Sequence, residues 1–176
     1  RSTLTSSSAA SDVYKRQLIH LLNHKMRSGK SIELLWICNI LLTQCNMKKI
    51  LIMTSVPATI NSFIKKGLNK FIEFKHIQYK NQDEFLDIES SFEGIVFCSV
   101  QYLKMDNDEL KKKKQHKLKE LNFDCLIFDE SHHGSSNKKT KEIISEADIV
   151  TLTDNKLVIF ASGTGDKTKK YYHIPS

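Results

Sequence analysis

Residues 18–54 read LIHLLNHKMRSGKSIELLWICNILLTQCNMKKILIMT, and the pattern of this stretch decides the fold. A short apolar run, Leu18–Asn23, is followed by a polar loop and then by apolar residues at helical spacing from Ile32 to Cys45. A second apolar run, Lys49–Thr54, comes next. Because the two runs are nearly continuous in their apolar character, both predict strands that are buried on both faces. The stretch therefore predicts a strand, a loop, a helix and a second strand.

The rest of the chain repeats this alternation of apolar runs with amphipathic segments. Further apolar runs are Gly94–Val100, Phe123–Phe128 and Lys156–Ala161, and residues 71–79 alternate apolar and polar residues. Helices are predicted from Pro57 onward and over Gln82–Glu89, Asp108–Leu121 and Lys138–Glu146. Five or six mostly apolar strands separated by helices predict an α/β fold, with a mainly parallel sheet and helices on both of its faces.

The composition fits one soluble globular domain. The 176 residues are 40% hydrophobic and 27% charged, with a formal net charge of +7. The apolar runs are far too short to cross a bilayer, so no membrane partner is expected. Four cysteines without Cys-x-x-Cys spacing predict neither a zinc site nor a disulfide framework, and we expect reduced thiols and a cytoplasmic location. The positive charge favours a polyanionic partner, although the lysine run at 111–114 is typical of a solvated helix face.

The first seventeen residues differ from the rest. Residues 1–10 are rich in Ser, Thr and Ala without periodicity, and residues 11–17 read SDVYKRQ, which resembles a translated transposon end used to tag sequencing libraries. We expect residues 1–17 to be a non-native scar or a disordered tail, and residues 18–176 to form the domain.

Polar segments follow directly after the apolar runs. They read HKMRSGKS, TSVP, SVQ, DESHH and SGT. Ligands of open parallel sheets bind beyond the carboxyl ends of the strands, so these segments predict one shared functional edge.

The first of these segments has the features of a phosphate-binding loop. Gly29, Lys30 and Ser31 stand between a predicted strand and a predicted helix, where backbone amides and the helix dipole favour an anion. Lys30 would reach the β- and γ-phosphates, and the Ser31 hydroxyl would ligate Mg²⁺. The full pattern has a glycine where this chain has His24, so an ordinary helix entry is the alternative for this motif alone.

Two adjacent carboxylates, Asp129 and Glu130, end another buried strand. Charge at such a position is costly unless it binds a metal or accepts hydrogen bonds. Asp129 would hold Mg²⁺, and Glu130 would orient and polarise the water that attacks the γ-phosphate. A solvated strand-end turn is the alternative for the pair alone, and the phosphate-type loop upstream argues against it.

The order HKMRSGKS, DESHH and ASGT resembles motifs I, II and III of the first RecA-like domain of superfamily 2 helicases and translocases. Asp129–His132 matches the DExH form of motif II, and residues 162–164 match motif III. TSVP, from Thr54, is similar to motif Ia, and SVQ, from Ser99, is similar to a segment that touches the nucleic-acid backbone. Among members, the resemblance is greatest to DEAD/DEAH-like proteins of phages, large viruses and restriction systems, including the motor subunit of type III restriction enzymes.

The resemblance implies a three-layer RecA-like P-loop NTPase domain that uses Mg²⁺ and ATP to move along or unwind DNA or RNA. It also implies roles in nucleotide binding, catalysis, coupling and nucleic-acid contact. The nucleotide-binding residues would be Arg27, Ser28, Gly29, Lys30 and Ser31, although Arg27 could instead point to solvent. Lys30, Asp129 and Glu130 would be catalytic, with Ser31 and Asp129 binding Mg²⁺. His132, Ser162 and Thr164 would couple the nucleotide state to movement, and Thr54, Ser55, Ser99 and Gln101 would contact the nucleic acid.

The resemblance also implies what a complete enzyme needs. We expect residues 18–176 to end before the second RecA-like domain, which supplies the arginine finger in this superfamily. Because such a finger is worth roughly a thousandfold or more in rate, we expect these residues alone to hydrolyse ATP poorly. The oligomeric state and the direction of movement are not predicted.

Two other functions stay open. A viral DNA-packaging ATPase of the terminase type also uses an Arg-containing phosphate loop and a strand-end acidic pair. A catalytically inactive nucleic-acid-binding module is the other alternative, and the retention of Lys30, Asp129 and Glu130 argues against it.

Overall fold

The computed structural model describes residues 18–23, 29–55, 57–104, 107–129 and 157–162. The helices are α1 (Lys30–Thr43), α2 (Pro57–Phe63), α3 (Val100–Lys104) and α4 (Asp108–Leu121). The strands are β1 (Leu18–Asn23), β2 (Lys49–Thr54), β3 (Tyr79–Lys80), β4 (Gly94–Ser99), β5 (Cys125–Asp129) and β6 (Leu157–Ser162). A π-helical turn (Ile64–Leu68) and two 3₁₀ helices (Ile72–Phe74 and Gln82–Asp87) complete the described elements. Every helix in this part of the chain is too short or too polar to traverse a lipid bilayer.

The strands form one six-stranded sheet in the order β1-β6-β5-β2-β4-β3. Every neighbouring pair in it is parallel. The predicted α/β class is therefore confirmed, including the strands expected at both ends of the described chain. The helix predicted over residues 138–146 lies outside the described residues.

Helices cover both faces of the sheet, which explains the apolar character of its strands. On β2, Leu51 and Met53 belong to the apolar cluster that includes Leu118 of α4. Ile50 and Ile52 point to the other face, into the cluster that includes residues of α1. Since successive side chains of a strand point to opposite faces, a strand with two covered faces has no position left for a solvated polar residue.

Several boundaries differ from the sequence-based expectation. The strand expected over Phe123–Phe128 is observed at Cys125–Asp129, and the helix expected over Gln82–Glu89 is a 3₁₀ helix over Gln82–Asp87. Helix α1 begins at Lys30 rather than Ile32 and ends at Thr43 rather than Cys45. The alternating segment 71–79 forms a 3₁₀ turn at Ile72–Phe74, and strand pairing begins only at Tyr79. Phe74 is buried there with its ring centroid 5.0 Å from that of Trp36, so a contact with α1 replaces the regular alternation of a strand.

Candidate active site

The polar ends of the central strands lie at one edge of the sheet. Thr54, the last residue of β2, is in register with Ser99, the last residue of β4. Asp129, the last residue of β5, is in register with Ala161 of β6. This arrangement agrees with the expectation that the polar segments after the strands share the carboxyl edge.

Helix α1 begins at this edge with its N-terminus formed by a glycine. Gly29 has φ 81° and ψ 18°, the left-handed conformation that favours glycine over residues with a side chain. Its carbonyl accepts hydrogen bonds from the amides of Ile32 (2.9 Å) and Glu33 (3.2 Å). The first amides of a helix have no acceptor within the helix, and glycine offers no side chain to cap them. The N-terminus of α1 is therefore suited to an anionic ligand.

Lys30 and Asp129 are brought together although they are far apart in the sequence. The Lys30 Nζ lies 2.7 Å from Asp129 Oδ1. The Asp129 side chain is only 2% exposed and that of Lys30 is 18% exposed. A carboxylate so deeply placed needs a nearby positive charge, and the Lys30 ammonium provides it. The lysine of the loop and the acid at the end of β5 thus share one site.

The donor set at this edge suits a hard divalent cation. Mg²⁺ prefers oxygen ligands and is commonly held by one or two carboxylates together with substrate phosphates. Asp129 supplies a carboxylate, and Ser31, which is half-buried in the first turn of α1, supplies a hydroxyl. Among the described residues no group of three or more His, Cys, Asp and Glu side chains lies together.

Several predicted site residues lie outside the described residues. They are Arg27, Ser28, Glu130, His132 and Thr164. The backbone of Ser162 is described as the end of β6, in register with Asn23. The roles given to these residues remain predictions.

The four candidate nucleic-acid contacts differ in exposure. Thr54 and Ser99 are fully buried, whereas Ser55 is half-buried and Gln101 is exposed. The Ser99 hydroxyl donates to Gln82 Oε1 (2.8 Å) and accepts from the Tyr102 amide (3.1 Å), so it caps α3. In this arrangement the Ser99 hydroxyl is enclosed and hydrogen-bonded within the protein, and the Thr54 side chain is buried as well. The nucleic-acid role of both residues remains a prediction.

One buried charge differs from the expectation that the sequence gives. Lys114, within the lysine run expected to be a solvated helix face, is only 4% exposed. Its position relative to Leu118 and Leu121, four and seven residues later, contained the signal, because these spacings place all three residues on one face of α4.

A cavity of about 780 Å³ lies away from this edge. Its lining includes Lys48, which directly precedes β2, and Gly94, where β4 begins, and it excludes Lys30 and Asp129. The site at the carboxyl edge is therefore distinct from this cavity.

The comparisons with known proteins agree with this geometry. The family described as "Type III restriction enzyme, res subunit" matches residues 4–165. The chain belongs to this family. Members of this res-subunit family have helicase-like ATPase domains, and the parallel sheet with helices on both faces is the fold of such a domain.

The chain is similar to a curated relative, of which it spans 17% of the length, and to two solved structures. The chain is 34% identical over 131 residues to "Putative type II restriction enzyme and methyltransferase RM.MpnORF110P C-terminus" of Mycoplasma pneumoniae, covering 69% of this chain and 17% of that protein. It is similar in fold to the Sulfolobus solfataricus SWI2/SNF2 ATPase core in complex with dsDNA, with a TM-score of 0.60 and 18% identity over 89% of this chain and 29% of that chain. A weaker likeness, to the genome packaging NTPase B204 of Sulfolobus turreted icosahedral virus 2 in complex with AMP, has a TM-score of 0.41 and 13% identity over 83% of this chain and 64% of that chain, and supports no argument.

Proposed function

We propose that the chain is the ATP-binding and hydrolysing half of a DNA or RNA helicase or translocase. The proposal rests chiefly on one observation, the 2.7 Å approach of Lys30 Nζ to Asp129 Oδ1 beside the N-terminus of α1. A lysine, a carboxylate and a helix N-terminus at the carboxyl edge of a parallel sheet are the groups that phosphoryl transfer from ATP requires. The family membership supports the same conclusion.

Each residue has a separate task in this proposal. Lys30 exchanges its ion pair with Asp129 for the β- and γ-phosphates, while the first amides of α1 donate to phosphate oxygens. Ser31 and Asp129 would hold Mg²⁺, which when bound would supply positive charge against the negative charge of the phosphates. Glu130 orients and polarises the attacking water. Ser28 and Arg27 complete the loop around the phosphates.

The remaining residues would connect ATP to nucleic acid. His132, Ser162 and Thr164 couple the state of the nucleotide to movement along the nucleic acid. Ser55 and Gln101, the two accessible candidates, contact the nucleic-acid backbone. The buried Thr54 and Ser99 hold the adjoining backbone in place. Backbone contacts of this kind position a strand without reading its sequence. A second RecA-like domain in the same polypeptide would close over the nucleotide, and without it we expect slow hydrolysis.

Titration of the chain with a fluorescent ATP analogue in the presence of Mg²⁺ tests the proposal. Lys30→Ala is expected to weaken binding by roughly tenfold or more, which corresponds to a loss of about 1.4 kcal/mol or more. Lys113→Ala is the matched control, because Lys113 is 63% exposed on α4 and should leave the affinity unchanged. Equal affinities of the parent and Lys30→Ala would favour an inactive module instead.

The identity of the nucleic acid is a separate measurement. ATP turnover is compared without nucleic acid and with single-stranded DNA, duplex DNA or RNA of equal length. The proposal predicts a low basal rate that one of these polymers raises. Brisk turnover without any of them would contradict the need for a second domain.

A further inference from the structure

Helix α3 is held at its start by a network that includes a neighbouring 3₁₀ helix. The Ser99 amide and hydroxyl both donate to Gln82 Oε1, at 3.1 and 2.8 Å. The same hydroxyl accepts from the Tyr102 amide and caps the helix. The ring of Phe85, also in the 3₁₀ helix, meets the Tyr102 ring edge-on at 6.0 Å between centroids. These contacts fix the start and one side of α3.

Lys114 holds the other side of α3. Its Nζ donates to the Tyr102 carbonyl at 2.6 Å and lies 3.4 Å from the centroid of the Tyr102 ring. The lysine therefore binds both the backbone and the side chain of one residue, through a charge-assisted hydrogen bond and a cation–π contact. The exposed Gln101 directly precedes Tyr102, so the position of Gln101 depends on the two contacts of Lys114 with Tyr102.

Burial of the Lys114 ammonium carries a desolvation cost. Lys114 is 4% exposed and lies on the face of α4 that includes the buried Leu118 and Leu121. Replacing buried charged groups by apolar residues of similar volume is often neutral or stabilising. An apolar side chain would pack with the two leucines but would not hold the Tyr102 carbonyl, so the lysine contributes orientation more than stability.

We propose that Lys114 is a positioning residue that holds α3, and with it Gln101, in the orientation that meets a nucleic-acid backbone. The inference rests on the proposed function, because it needs nucleic acid to bind at the carboxyl edge. Lys114 acts through Tyr102 and does not touch the nucleic acid itself.

Helix α4 offers a matched control for this inference. Lys117, one turn after Lys114, also donates to a backbone carbonyl, that of Ile88 at 2.9 Å. Ile88 follows the 3₁₀ helix and is not part of α3. Lys117→Met therefore removes the same kind of contact, together with the ion pair of Lys117 with Glu120 at 3.1 Å, from a segment that is not proposed to bind nucleic acid.

The experiment compares the parent, Lys114→Met, Lys114→Arg and Lys117→Met. Fluorescence anisotropy with labelled single-stranded and duplex DNA of equal length is recorded over a series of salt concentrations, with Mg²⁺-ATP affinity and the thermal midpoint measured in parallel. Lys114→Met is expected to bind DNA roughly tenfold more weakly with an unchanged salt slope, because no phosphate contact is lost. Its ATP affinity and thermal midpoint should equal those of the parent, or the midpoint should rise. Lys114→Arg should regain part of the affinity, and Lys117→Met should bind as the parent does.

Several results would overturn the inference. DNA affinity of Lys114→Met equal to that of the parent would do so, and so would an equal loss in Lys117→Met, which would indicate general loosening. A salt slope reduced by about one would show that Lys114 itself contacts a phosphate. If the parent binds no DNA while binding Mg²⁺-ATP, the nucleic-acid part of the proposed function fails and the inference fails with it. If Lys114→Met does not fold, Ser99→Ala loosens the other end of α3 with Lys114 in place, and unchanged DNA affinity in that variant would overturn the inference.

Discussion

The ion pair between Lys30 and Asp129 leads to a quantitative prediction about folding stability. In Lys30→Met, the Asp129 carboxylate stays 2% exposed while its ammonium partner at 2.7 Å is lost. Removing one partner of a fully buried pair costs about 3–5 kcal/mol. Because Lys30 is 18% exposed, part of the interaction is screened by solvent, and we expect a loss of about 2–3 kcal/mol.

The double-mutant cycle isolates the interaction itself. Asp129→Asn removes the buried charge and leaves an ammonium that can turn toward solvent, so a smaller loss of about 1 kcal/mol is expected. The double variant has neither charge and should be less destabilised than the sum of the single variants, by about 1–3 kcal/mol. Urea unfolding of the four proteins, followed by circular dichroism, measures these values.

The exposed pair between Lys113 and Glu109 is the control within the same chain. Its side chains are 63% and 78% exposed. A cycle on this pair should give about 0.2–0.5 kcal/mol. If the effects of Lys30→Met and Asp129→Asn add within about 0.5 kcal/mol, the two side chains are not coupled and the reasoning about the site is refuted.

Three other predictions concern the scaffold around the site. Gly29→Ala should lower the free energy of unfolding by about 1–2 kcal/mol because its φ is 81°, although a Cβ there would meet no atom within 4 Å; an unchanged urea midpoint would argue against the left-handed conformation. Ser99→Ala removes the cap of α3 and should cost about 1 kcal/mol in the same assay, whereas a loss below roughly 0.3 kcal/mol would contradict the capping role. Of the four thiols only Cys45 is exposed, and burial raises the pKa of Cys125 to about 12 and the pKa values of Cys38 and Cys98 well above their ordinary range, so one thiol should react quickly with Ellman's reagent at pH 8 and four fast thiols would contradict the burial. Because these thiols hold their protons more tightly in the folded chain, their contribution to the free energy of unfolding is complete below the ordinary thiol pKa of 9.0. This contribution should be lost as the pH rises from 9.0 toward about 12, the raised pKa of Cys125.

The strands could be predicted from the sequence because burial on both faces leaves a local signature. The boundaries of Lys49–Thr54 were correct, since the apolar run ends where the sheet ends. The order of the strands in the sheet could not be predicted from the sequence, because it depends on contacts between distant residues that no local pattern encodes. The edge rule for parallel sheets nevertheless predicted that the polar segments would meet, and Lys30 and Asp129 do so.

Burial of polar side chains is harder to predict from the sequence, because residue type alone does not specify the contacts that a side chain makes. A run of lysines predicts a solvated face for Lys114, yet its helical phase places it beside Leu118 in the interior. The burial of Ser99 is also not evident from the sequence, because its hydroxyl donates to Gln82 Oε1 and accepts from the Tyr102 amide. The partner Gln82 lies seventeen residues away, in a different element, so the sequence gives no signal for this contact.

The central claim is that Lys30 and Asp129 surround one magnesium-bound triphosphate. The most direct test is the affinity for ATP with and without Mg²⁺, measured by calorimetry for the parent, Lys30→Ala and Asp129→Asn. We predict that Mg²⁺ tightens ATP binding by the parent, and that the factor of this tightening is roughly tenfold smaller in Asp129→Asn. Lys30→Ala should bind ATP more weakly than the parent both with and without Mg²⁺. Full retention of the Mg²⁺-dependent gain in Asp129→Asn, together with parental ATP affinity in Lys30→Ala, would contradict the shared site.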